Sequence, residues 1–159
     1  MTTMTGRDEL TSRDPSFNNH PAFAGVRAAD PVVTRVFAID AARLLADDKC
    51  EDVVLLDVQG LSQICDYIVV ATGTSDRQMR GSADDVKKLA ETTDNGVFRH
   101  SVDERTTWYV LDCVHVVVHI FEPNARAHYD LELLWGDAPR VEWQRPGEKN
   151  RDLAGLHGG

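Results

Sequence analysis

The 159-residue length allows one domain with one proper core, and 42% hydrophobic content is ordinary for a globular chain. Lys and Arg total 17 against 26 Asp and Glu, a net charge of -9, and no basic cluster stands out. That balance argues against direct, sequence-specific binding of nucleic acid and favours attraction to a basic protein.

No run approaches the ~20 apolar residues of a membrane span, and the N-terminus lacks an apolar core of signal-peptide length. The expectation is a soluble cytoplasmic protein without membrane contact. Cys50, Cys65 and Cys113 are odd in number, widely spaced and set beside apolar residues, which suits free, partly buried thiols in a reducing compartment. No Cys-x-x-Cys or Cys/His spacing suggests a metal site.

In chain order, residues 1–29 are rich in Thr, Arg, Asp, Asn, Pro and Gly and read as a disordered N-terminal extension. Asp30-Pro31 is a helix start, with Asp at the cap and Pro at the first helical position. A helix to about Asp48 follows, with Val33, Val36, Phe37, Ala41, Leu44 and Leu45 as its apolar stripe. Val53–Leu56 and Tyr67–Thr72 are apolar, β-branched runs that suit strands buried on both faces. Ser75 followed by Gln78 has capping-box spacing, and Asp76 sits where the helix dipole favours a negative charge. The helix predicted there runs to about Thr92, with Met79, Ala83, Val86, Leu89 and Ala90 on one side.

Asn95-Gly96 marks a turn before a weak edge strand over Val97–Val102. Thr107–Asp112 and His115–Phe121 are two strongly β-prone runs that predict an antiparallel hairpin. Glu122-Pro123-Asn124 opens a last helix closed by Gly136, and from Asp137 onward Pro and Gly dilute the apolar content. The predicted architecture is α/β, a mixed and partly antiparallel five-stranded sheet with covering helices. Its domain spans 30–138 and a mobile C-terminal tail spans 139–159.

The chemistry is sparse. Within a strand His115 and His119 would lie about 13 Å apart, too far for one metal ion. Asp112 and His119 could meet across the hairpin, where a satisfied structural histidine outweighs a catalytic one. The Gly73–Ser75 turn ahead of a helix could seat an anion, which leaves a nucleotide-binding or nucleotidyl-transferring enzyme as the alternative reading. Such an enzyme needs carboxylates gathered beside that turn, whereas Asp57 and Asp112 are single acids on separate strands. No catalytic residue, metal or cofactor is expected.

The last third is rich in bulky side chains. Trp108 and Tyr109 are neighbours on a strand and must point to opposite faces, so one covered face cannot bury both. The expected contact surface therefore has Trp108, His119, Phe121, Tyr129, Leu134 and Trp135 as anchors and Asp112, Glu122 and Glu132 as acidic contacts.

The blocks DVQGLSQICDYIVVATGTSDRQMR, VVVHIF and YDLELLWGDA together resemble the ribosomal silencing factor, or Iojap-like, family over roughly residues 31–138. The resemblance implies a nucleotidyltransferase-like fold without catalytic acids and a translation repressor rather than an enzyme. It further implies binding to the large ribosomal subunit through ribosomal protein uL14, blocking small-subunit joining when nutrients are scarce. A homodimer off the ribosome stays open. The chain departs from the family pattern at Ser101-Val102, where Glu-Gly is common, and at Val114-His115, where Gly-Asp is common. Val114 in place of Gly constrains the hairpin turn, because a β-branched residue resists positive φ.

Overall fold

A computed structural model of the protein describes residues 30–93 and 99–148. The predicted extension over residues 1–29 and most of the predicted tail lie outside the described residues. Among those described, no helix is long and apolar enough to cross a membrane.

Helix α1 (Pro31–Asp47) starts as its sequence dictates: the Asp30 carboxylate accepts a hydrogen bond from the Val32 N–H at 2.8 Å, and Pro31 takes the first position. Its buried face keeps Phe37, Ala41 and Leu45 of the predicted stripe but is rotated away from Val33 and Val36. Thr34, Phe37, Ala38, Ala41, Ala42 and Leu45 face the sheet, whereas Val33 and Val36 are 47% and 50% exposed. The alanines decide this, since their small side chains let the helix backbone approach the sheet closely while Phe37 and Leu45 fill the ends of the contact.

Strands β1 (Glu51–Asp57) and β2 (Tyr67–Thr72) are antiparallel, and helix α2 (Asp76–Thr92) follows. Ser75 Oγ accepts from the Gln78 N–H at 3.1 Å, while Gln78 Oε1 accepts from the Thr74 N–H at 3.0 Å. This is a capping box shifted by one residue. Strands β3 (Arg99–Val102), β4 (Trp108–Asp112) and β5 (Val116–Phe121) complete a five-stranded sheet ordered β1-β2-β5-β4-β3. Only β2 and β5 run parallel, and the other neighbours are antiparallel. Every residue of β2 is buried, as a central strand covered on both faces requires, whereas every residue of the edge strand β3 is exposed.

The predicted single last helix is two: α3 (Pro123–Tyr129) and α4 (Leu131–Leu134), broken at Asp130 in the left-handed region at φ 46°. The Asp130 side chain accepts from the Leu133 N–H at 3.3 Å, so a short polar residue that tolerates this conformation caps the next turn.

Two apolar clusters flank the sheet. Val53, Leu55, Val69, Leu111, Val118 and Ile120 meet α1 and α2 on one face, and Val54, Leu56, Ile68, Val70 and Phe121 lie on the other. The three cysteines are free and buried, and burial raises the thiols of Cys50 and Cys65 to about 11 and that of Cys113 to about 12.

The domain does not end at Ala138. The Asp57 N–H donates to Pro139 O at 2.9 Å and the Val141 N–H to Leu55 O at 2.8 Å, so this stretch extends the sheet beside β1. Trp143 is 3% exposed, its carbonyl accepts from Arg43 Nε at 2.6 Å, and Arg145 pairs with Asp47 at 3.0 Å. Composition had placed these residues in the tail, because prolines dilute the two apolar side chains that hold them. Trp143→Ala should cost about 3 to 5 kcal/mol of stability, a drop of roughly 10 °C or more in melting temperature. Thermal denaturation followed by circular dichroism checks this, and an unchanged melting temperature would return the segment to the tail.

Where α1 meets α2, the Asp48 carboxyl is raised to about 6, first by burial and then by the Asp85 carboxyl beside it, while Ser82 Oγ donates to it at 3.2 Å. An acid raised in the folded state contributes stability that is full below its unfolded value near 4 and lost as pH rises through about 6. Asp48→Asn should therefore raise the melting temperature at pH 7.5 and give no gain near pH 4. Paired melts at those two values test the sign.

Candidate partner-binding face

Strand alternation builds the candidate site. On β4, Trp108, Val110 and Asp112 share a face, and on β5 so do Val117, His119 and Phe121, with register pairs Trp108 to Phe121, Val110 to His119 and Asp112 to Val117. The opposite face of both strands, from Tyr109 to Ile120, belongs to the cluster roofed by α1 and α2. As predicted, Trp108 and Tyr109 therefore enter different layers. The short α3 and α4 cover their own face only in part, and Trp108 and Val117 stay half-buried against its cluster.

Trp108 is the hub of this face. Its ring lies 4.4 Å from that of Tyr129, 5.1 Å from Phe121 and 5.9 Å from His119, centroid to centroid. Its Nε1–H donates to His119 Nδ1 at 3.1 Å. Burial lowers the His119 imidazole to about 4, so the ring is neutral at ordinary pH and Nδ1 is free to accept. The loop before β4 holds Trp108 from behind: Asp103 Oδ1 accepts from the backbone N–H of Thr107 at 2.6 Å and of Trp108 at 3.0 Å.

Arg126 ties the roof to the sheet. Its Nη1 donates to Asp52 O at 2.6 Å and to the buried Thr72 Oγ1 at 2.8 Å, and its guanidinium pairs with Glu132 at 3.0 Å. Arg140 also reaches Glu132, at 3.6 Å. Sequence reasoning missed Arg126, since one arginine on a short helix looks like any solvated charge.

The structure sorts the sequence-predicted residues. Trp108, His119, Phe121 and Tyr129 come together, with Phe121 fully buried beneath the others and Tyr129 45% exposed. Leu134 is 70% exposed, whereas the half-buried Trp135 packs onto the cluster below. Among the acids, Glu122 caps α3 by accepting from the Asn124 N–H, and Glu132 is taken by Arg126 and Arg140. Asp112 does not meet His119 across the hairpin. Its Oδ1 accepts from the Val114 N–H at 2.9 Å, because the register sets Val110 opposite His119. Leu133, 76% exposed, had been overlooked, although its place beside Leu134 in a one-turn helix leaves little room to bury both.

Two of the N–H groups of the alternative anion seat are already taken. The Gly73 N–H donates to Phe121 O at 2.7 Å and the Thr74 N–H to Gln78, and a Cβ on Gly73 would fall 2.0 Å from Met79 Cγ. Packing of Met79, rather than approach of a phosphate, explains the glycine. Asp57 and Asp112 lie three strand spacings apart, about 14 Å. Among the described residues no three His, Cys, Asp or Glu side chains gather as metal ligands.

A small α/β domain with a mixed five-stranded sheet and one half-covered aromatic face is thus the class that fold and site define. The chain matches the family model described as ribosomal silencing factor during starvation over residues 33–155, and it belongs to that family. It is 39% identical over 102 residues to the ribosomal silencing factor RsfS of Halalkalibacterium halodurans, covering 64% of this chain and 87% of that protein. It is 36% identical over 102 residues to RsfS of Bacillus subtilis, covering 64% and 86%. The chloroplastic protein Iojap of Arabidopsis thaliana is 30% identical over 113 residues, 71% of this chain and 47% of that one. A crystal structure of a Chromobacterium violaceum protein superposes with a TM-score of 0.60 at 28% identity, covering 80% of this chain and 98% of that one. One from Bacillus halodurans gives 0.56 at 34% identity, covering 68% and 95%.

If exposure separates presenting from supporting residues, Leu133→Ala and Leu134→Ala should leave stability within about 0.5 kcal/mol of the parent. Trp135→Ala should cost about 3 kcal/mol or more through the cavity it leaves. Urea denaturation of the three variants measures this, and equal losses would reject the division.

Proposed function

We propose that this protein represses translation by binding the large ribosomal subunit through ribosomal protein uL14 and standing where the small subunit would dock, slowing protein synthesis under nutrient limitation. Membership of the ribosomal silencing factor family supports the ribosome as target. The observation that carries the reading is the half-covered aromatic face of Trp108, His119 and Tyr129, on the side of the sheet where the short helices α3 and α4 also leave Leu133 and Leu134 exposed. Phe121 and Trp135 support it from below; of the acids, Glu132 is neutralised by Arg126 and Arg140 and Asp112 is engaged in the hairpin turn, which leaves Glu122 as the candidate acidic contact.

A net charge of -9 suits a basic ribosomal protein. Occlusion requires affinity and placement rather than a chemical step, and the cytoplasm is the compartment proposed with it. With the Gly73 and Thr74 N–H groups bonded within the chain and Met79 packed on Gly73, the Gly73–Ser75 turn gives the nucleotidyl-transfer alternative less support.

The protein should pellet with purified large subunits and not with small ones, and should reduce subunit joining when added first. Tyr129→Ala should weaken pelleting by about thirtyfold, the effect of losing roughly 2 kcal/mol at an anchor, with melting near the parent's. Subunits that join unimpeded at saturating protein would refute the proposal.

A further inference from the structure

His119 carries more information than its place in the aromatic stack, because its hydrogen bond fixes where its proton is. An indole N–H can only donate, so the His119 Nδ1 that accepts from Trp108 Nε1 at 3.1 Å must present a lone pair. A neutral imidazole with a bare Nδ1 bears its proton on Nε2. Burial keeps the ring neutral, so the second proton that would spoil the arrangement is absent at ordinary pH.

Nothing in the fold accepts from Nε2 among the described residues. The strand neighbours of His119 in register are Val110 on β4 and Val70 on β2, both apolar, and the rings around it are those of Trp108 and Phe121. His119 is half-buried rather than sealed off, so in the free protein water can serve that N–H. A partner that covers the face and strips the water must replace it, since an N–H buried without an acceptor opposes binding.

We infer that His119 is a specificity-determining residue of this face, its Nε2–H a donor set for an acceptor oxygen on the partner protein, with Trp108 as the positioning residue that selects the tautomer. The inference rests on the proposed ribosome-binding role and narrows it. Although an acidic chain suits a basic partner, the point that meets His119 is a carbonyl, hydroxyl or carboxylate oxygen and not an ammonium or guanidinium, which have no lone pair to offer.

Three variants and one spectrum test this. Nitrogen NMR of the histidine rings in the intact free protein should show His119 with Nδ1 bare and Nε2 protonated, and the opposite tautomer would overturn the inference whatever the variants do. In titrated co-sedimentation with large subunits, His119→Phe keeps a stacked ring but no donor and should bind roughly tenfold more weakly or worse. His119→Gln can accept from Trp108 through its amide oxygen and donate through its amide nitrogen, and should return to within about threefold of the parent. His119→Leu, which removes ring and donor together, should bind no better than His119→Phe and serves if the latter does not fold. Parent-like binding by a folded His119→Phe or His119→Leu, or no recovery in a folded His119→Gln, overturns this inference alone. A parent chain that stays in the supernatant overturns the ribosome-binding proposal and this inference with it.

Discussion

The parallel pairing of β2 with β5 is the constraint on which the remaining architecture depends. Six register pairs join them, from Tyr67 with Val116 to Thr72 with Phe121. Parallel neighbours cannot be joined by a tight turn, so the chain must leave the sheet after β2 and return, and α2, β3 and β4 are that excursion. With α1 and α2 on one face, the short helices that follow β5 are left for the other. The asymmetry between a fully roofed and a half-roofed face follows from this order of elements.

The second constraint is register in the hairpin. A slip of one residue of β4 against β5 would carry Trp108 into the layer under α1 and α2, away from His119, and expose Tyr109. The connecting turn holds the register through the Cys113 N–H to Val116 O bond at 2.9 Å and the Asx turn from Asp112 to Val114. Val114 stands there at φ 72°, a conformation a β-branched side chain resists. The surrounding bonds fix a turn that this residue would not choose, which ties the aromatic face to a locally strained hinge of the hairpin.

Much of this was legible in the sequence because the signals were local. Four consecutive apolar residues, Val53 to Leu56, announce a strand covered on both faces, and Ser75 with Gln78 announces a helix start. What escaped detection depended on depth and distance. Val33 and Val36 fit a helical stripe as well as Ala38 and Ala42 do, and only the sheet's demand for close approach selects the alanines. Asp130 breaks a helix whose periodicity runs on through it. Trp143 packs on a segment held by bonds to distant parts of the chain, Val141 to Leu55 and Arg43 to the Trp143 carbonyl among them, which no local pattern encodes. At the candidate site, strand parity separated Trp108 from Tyr109 but could not say that Phe121 would lie beneath the rings or that Glu132 would be occupied by arginines.

The way the second face is roofed bears on what it can do. Helices α3 and α4 contain no fully buried residue, so apolar packing alone does not hold them down. Arg126 does much of that work, its side chain 10% exposed and all its named partners being backbone or side-chain oxygens of β1, β2 and α4. A buried ion pair of this kind adds little net stability compared with well-packed apolar groups, but it is directional and is broken only at substantial cost. Position is thus specified more than stability is gained. For the proposed role of occupying space on a partner, this is a workable solution: α4 can turn Leu133 and Leu134 outward because Arg126, rather than their burial, fixes where the helix sits.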